Sequence, residues 1–270
     1  MVKEKLIISE QLVERLERSE INYMVDRMGA IANRVGNPEG VEIKAFGNCI
    51  ALYSKTMPWG LFNNVKGSIE KDDVEELLQF YEDRGRAPEL HIIPSHAHDA
   101  VLKKLHQAGF YQAGFHSTLY CEAKTVDHLN NNKDIVVRAL REDEMELYAE
   151  IHCLGTGLSL DGKAAVAANN AVLYARDHWK YYIAFYAGRA AAVAVMHMQD
   201  NIASLTFATT LPQYRQLGLQ QHLLIQRIND AFHYGCELVV AQCAYCSTSH
   251  RNMERAGMRI GYTRATWRKA

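Results

Sequence analysis

Ile202-Ala203-Ser204-Leu205-Thr206-Phe207-Ala208-Thr209 and, after Thr210, Leu211-Pro212-Gln213-Tyr214-Arg215-Gln216-Leu217-Gly218-Leu219-Gln220 form the stretch whose reading decides the fold. The first part is rich in β-branched and aromatic residues, which predicts a strand that stops at Pro212. From Leu217 the period changes to helical. Leu217, Leu224, Ile228 and Ala231 share one face, while Gln220, Gln221, Gln226, Arg227 and Asp230 are expected on the polar one. A strand that enters a helix through a turn at Gly218 leaves the first helical N–H groups unpaired and facing whatever lies over the turn. Such a turn attracts a phosphate.

Downstream, Gly235-Cys236 leads into a strand over Glu237 to Ala241 and then a short helix ending in Glu254-Arg255-Ala256-Gly257-Met258. This order, with Arg215-x-x-Gly218 between strand and long helix, resembles the acetyl-CoA-binding half of the GNAT acyltransferases. That family holds the pyrophosphate of coenzyme A on backbone amides of an Arg/Gln-x-x-Gly-x-Gly/Ala turn. Here Gln220 stands where the last small residue would be.

The 270 residues suffice for one large or two ordinary domains, and 48% hydrophobic content supports a true core. A formal charge of −1 gives no footprint for nucleic acid or an anionic membrane. Met1-Val2-Lys3-Glu4-Lys5 is not the start of a signal peptide, and no run is long and apolar enough to span a bilayer, so a cytoplasmic protein is expected. Six scattered cysteines suggest no disulfide framework; Cys243-x-x-Cys246 reads as a strand end, and no metal is expected. His91, His96 and His98 read as surface loop residues around Pro94.

The ends of the two halves of the chain repeat one pattern. Leu105-His106-Gln107-Ala108-Gly109-Phe110 before a strand parallels Met253-Glu254-Arg255-Ala256-Gly257-Met258 before a strand. We therefore expect an α+β fold of two GNAT-like domains, each a mixed, mostly antiparallel sheet flanked by helices in three layers. Residues 1–133 form a degenerate copy without the cofactor turn, and residues 134–270 the acetyl-CoA-binding copy, joined near Asn130-Asn131-Asn132-Lys133. In the first copy, one or two helices span Leu6 to Ala32, Val41 to Phe46 and Cys49 to Ser54 make a hairpin, and Pro58 to Val65 is an aromatic loop. Asp72-x-x-Glu75 starts a helix. In the second, Gly155 to Gly162 reads as a loop ahead of an alanine-rich helix over Lys163 to Arg176.

The resemblance implies acetyl transfer to an amine, with main-chain contacts from Ala208, Thr209, Thr210 and Leu211 to the pantetheine arm. It also implies contacts from Gln216, Leu217, Gly218, Leu219 and Gln220 to the pyrophosphate, with Arg215 either reaching the phosphates or covering the surface. Members of the family often carry a carboxylate on the strand and a tyrosine four residues before the helix-ending glycine; here Ser204, Thr206 and Ala208 share one face of the strand, and Met253 holds the tyrosine position. Tyr245, Ser249 and His250 are the remaining catalytic candidates, although Ser247 or Thr248 would also serve as helix caps in the same segment. Asp161 could meet a cationic amine or cap the helix at Lys163. The expected partner is a small-molecule or peptide amine, with homodimer formation left open. A non-catalytic acyl-CoA sensor is the rival reading.

Overall fold

A computed structural model describes residues 6–126 and 132–270. The segment Met1 to Lys5 and two of the linker asparagines, Asn130 and Asn131, lie outside the described residues. Two compact units emerge, and their borders differ from a single cut at residue 133. The first comprises 1–118, 243–245 and 260–270; the second comprises 119–242 and 246–259.

In the first unit, α1 (Glu10–Ala32) is one continuous helix, started by Ser9, whose hydroxyl accepts from the Leu12 N–H. The hairpin β1 (Val41–Phe46) and β2 (Cys49–Ser54) forms as expected. The aromatic loop ends earlier than expected, because Asn64–Gly67 forms β3, antiparallel to β2 and parallel to β4 (Glu89–Ile92). Asn64 supports this turn through bonds from its amide to the Gly60 and Leu61 carbonyls. Helix α2 (Val74–Glu82) follows a 3₁₀ turn over Lys71–Asp73, and no side-chain cap bond forms at Asp73. Helix α3 (Asp99–Gln107) leads to β5 (Phe110–Glu122), of which residues up to 118 belong here. The strand order is β1-β2-β3-β4-β11-β5, where β11 (Arg259–Lys269) comes from the far end of the chain. One face buries Leu77, Phe80, Leu90, Val101 and Leu105.

The second unit contains β6 (Ile135–Ala139), α4 (Met145–Thr156), α5 (Lys163–Tyr174), β7 (Trp179–Tyr186), β8 (Arg189–Gln199) and β9 (Ile202–Thr210). After these come α6 (Leu219–His233), β10 (Leu238–Ala244) and α7 (Thr248–Arg255). Strands run in the order β10-β9-β8-β7-β6; each neighbouring pair from β6 to β9 is antiparallel, and β9 with β10 is parallel. Gly155 belongs to α4 and is buried, so the expected loop is shorter than its glycines suggested. A Cβ on Gly155 would collide with the Thr209 side chain, so glycine there permits the helix to lie close on β9.

Candidate active site

The β9–β10 pair is held together over only part of its length. Ile202 to Leu205 pairs with Leu238 to Ala241, whereas β9 continues to Thr210 and β10 to Ala244. Beyond that pairing lie two connected features of the second unit. An outer cleft of about 520 Å³ lies over the turn between β9 and α6, and an inner cavity of about 220 Å³ lies between Leu205 to Ala208, Gln242 and Met253.

The turn is shaped by two left-handed residues. Gln216 has φ +66° and Gly218, the residue capping α6, has φ +92°. Glycine takes that conformation freely, while glutamine takes it at a cost of backbone strain. Among the described residues no backbone carbonyl accepts from the amides of Gln216 to Gln221; His222 is the first to bond back, to Gly218. Leu219, buried to 1% exposure, fixes the first turn of α6 against the core. Unpaired amides, a left-handed turn and the positive end of a fifteen-residue helix together make an anion-binding concavity.

The residues expected at the carrier divide clearly. Ala208, Thr209, Thr210, Arg215, Gln216, Gly218, Leu219 and Gln220 line the outer cleft, whereas Leu211 is buried and Leu217 faces out. The Arg215 guanidinium donates to the Gly155 carbonyl at 2.9 Å and the Thr210 carbonyl at 3.4 Å, tying α4 to the end of β9. Gln220 bridges the two helices that flank the gap: its Nε2 donates to Ser249 Oγ at 2.8 Å, and its Oε1 accepts from Asn252 Nδ2 at 2.7 Å. Gln220 and Ser249 line both the cleft and the cavity, so this bridge stands between them.

Of the catalytic candidates, only Ser249 reaches these spaces. His250 is buried, and its Nδ1 accepts the Cys246 N–H at 3.1 Å, a bond that shapes the entry to α7 alongside Ser247, whose hydroxyl caps the helix. Tyr245 is 57% exposed, groups with the first unit and lines neither space. Asp161 is exposed and accepts from the Ser159 hydroxyl at 2.8 Å within the 3₁₀ turn before α5.

Several site residues escaped sequence reading. Arg227, expected on the polar face of α6, is 3% exposed. The pairing of β8 with β9 steps from Val195–Phe207 to His197–Ser204, so β9 carries one extra residue, a bulge at Leu205-Thr206. Arg227 Nη1 donates to the Val195 and Phe207 carbonyls, both at 3.1 Å, and satisfies the backbone beside this irregularity. Burial pulls its pKa down to about 10, which still leaves it a cation at neutral pH. His152 of α4 stacks on Phe207 at 4.2 Å, and its Nδ1 lies 3.4 Å from the Tyr148 hydroxyl. Gln221 lines the outer cleft with both amide atoms buried and unbonded among the described residues. No sequence period announces these positions, because each depends on where the bulge and the strand separation fall.

No family model and no curated protein sequence matches the chain. Solved structures do. A GCN5-related N-acetyltransferase from Kribbella flavida superposes with a TM-score of 0.65 at 14% identity, over 90% of this chain and 95% of that one. A functionally unknown conserved protein from Staphylococcus epidermidis matches with a TM-score of 0.63 at 11% identity, covering 84% and 92%. A tandem GNAT protein from the clavulanic acid biosynthesis pathway matches with a TM-score of 0.57 at 10% identity, covering 73% and 68%. The fold is therefore that of GNAT acetyltransferases, tandem members included. Among the described residues no helix is long and apolar enough to cross a membrane.

Proposed function

We propose that this chain is an acetyl-CoA-dependent N-acetyltransferase whose second unit holds the carrier and whose acceptor is a small-molecule or peptide amine. The observation that carries the reading is the row of unpaired amides from Gln216 to Gln221 at the start of α6, opening on a cleft continuous with a strand separation. These residues fit the group: the amides and helix dipole suit a pyrophosphate, and the end of β9 from Ala208 to Thr210, beyond its pairing with β10, offers main-chain partners to an extended, amide-bearing arm. Bound acetyl-CoA would supply an acyl carbon activated by its thioester.

The chain's own part is positioning. The Gln216 to Gln220 amides would hold the phosphates, and Arg215 keeps α4 against β9. Among the described residues, no carboxylate, histidine or tyrosine lines the inner cavity. Deprotonation of the amine thus falls to water or to a group that the acceptor brings near. The same lack favours a second reading, an acyl-CoA sensor that binds without turnover.

Titration calorimetry with coenzyme A and acetyl-CoA tests the carrier assignment, and absence of heat with both would sink it. Thiol release, followed on a panel of polyamines, aminoglycosides, amino acids and peptides, separates enzyme from sensor. Release above the rate of spontaneous hydrolysis with any acceptor establishes the transferase, and tight binding with none supports the sensor.

A further inference from the structure

Among the polar residues that line the inner cavity, two lie away from the glycine turn and the carrier's phosphates. Gln242 lies on β10 immediately after Ala241, the last residue paired to β9, and so at the point where the strands part. Its Nε2 is buried and has no hydrogen-bond partner among the described residues. A buried amide donor left unbonded is costly, and a fold keeps one where a ligand or a water supplies the acceptor. The second group is Arg227, which lines the same cavity. Its guanidinium bonds only carbonyls, those of Leu223, Val195 and Phe207, and no carboxylate neutralises it among the described residues.

A space that presents a donor and a positive charge, and no carboxylate, suits an oxygen that gains negative charge and disfavours a cationic amine. The geometry fits the two ends of one elongated ligand. Phosphates belong over the glycine turn, at the outer end of β9, and the opposite end of an arm laid along β9 arrives beside Leu205, where Gln242 stands.

We propose that Gln242 donates a hydrogen bond from its carboxamide to the acyl carbonyl oxygen of acyl-CoA in the inner cavity, within the field of the Arg227 guanidinium. The inference rests on the acetyl-CoA reading above. In the transfer, the amine lone pair forms the new C–N bond and the C–S bond breaks with its electron pair left on sulfur. The proton lost by nitrogen passes to water, and Gln242 gives up none. Its hydrogen bond strengthens as negative charge collects on the carbonyl oxygen, and Arg227 favours the same charge and the departing thiolate. This arrangement takes over part of the work that an acid on sulfur would do.

The test compares acetyl-CoA with coenzyme A on the full chain and on Gln242→Met, by titration calorimetry. The expected result is a loss of about five- to tenfold in acetyl-CoA affinity, the worth of one hydrogen bond, with coenzyme A affinity unchanged. The unliganded variant should melt no lower than wild type, because it no longer buries an unbonded donor. With carbonyl-labelled carbon-13 acetyl-CoA, the infrared carbonyl band of the bound ligand should lie lower in wild type than in Gln242→Met. Equal losses for both ligands, no loss for either, or identical carbonyl bands would overturn the assignment. Wild type binding neither ligand overturns the carrier reading itself, and the inference with it.

Discussion

At the scale of single residues, the site depends on backbone conformation more than on side-chain chemistry. Gly218 has room for a methyl group, since a Cβ would meet nothing closer than Ile135 Cδ1 at 3.7 Å, but its φ of +92° does not suit an L-residue. Gly218→Ala should therefore cost about 1–2 kcal/mol of stability through strain alone and weaken coenzyme A binding by tilting the first amides of α6. Urea denaturation read beside calorimetry checks this, and an unchanged stability would show that the turn relaxes at no cost. Arg227 makes the opposite kind of contribution. Replacing it by Met leaves the Val195 and Phe207 carbonyls without their donor, with an expected cost of about 1–3 kcal/mol per buried orphan. The loss should appear in the denaturation midpoint before any assay of activity.

The elements show the same division between pattern and packing. Helix α1 buries Glu17 and Glu20 against its own unit's sheet, where Glu20 pairs with Arg264 of β11 and, at 2.7 Å, with Lys66 of β3. Tyr262 donates to Glu17 at 2.7 Å, and Lys66 lies 2.8 Å from His91 Nδ1. Burial alone would raise the Glu20 pKa, yet Arg264 and Lys66 outweigh it and hold the carboxyl at about 2. Burial raises the Glu17 pKa, further helped by Glu20. Burial, Lys66 and Arg264 push His91 well below the usual imidazole range, and burial with Arg264 brings His116 down to about 4. A histidine kept neutral in the fold takes up a proton when unfolded, so its contribution is complete above about pH 6.5 and is lost as pH falls toward 4. Glu17 acts in the opposite sense, since its protonation in the fold relieves a burial penalty. His116→Gln should therefore gain on wild type in urea midpoint as pH is lowered from 6.5 to 4. A constant difference across that range would remove His116 from the account.

For the whole molecule, chain order and compact units do not coincide. Strand β11 pairs with β4 through Ala265–Ile92, Thr266–His91 and Trp267–Leu90, and it carries the partners of Glu17 and Glu20. A fragment of residues 1–133 should consequently fail to melt cooperatively, because removing one partner of a buried ion pair costs about 3–5 kcal/mol, and here Glu20 loses Arg264 while Glu17 loses the hydrogen bond from Tyr262. Circular dichroism of the fragment, alone and with a peptide of residues 259–270, checks this; a cooperative transition without the peptide would contradict it. The sequence by itself determined the strand-turn-helix at Leu211 to Gln220, the hairpins and the element order. These follow from local periodicity, from a proline that stops a strand and from a glycine able to turn left-handed. Only the tertiary structure decided that β3 is a strand, that Arg227 is a core residue, that Gln242 faces a cavity and that β11 completes the first unit. Each depends on which distant backbone lies opposite, and local periodicity carries no record of that.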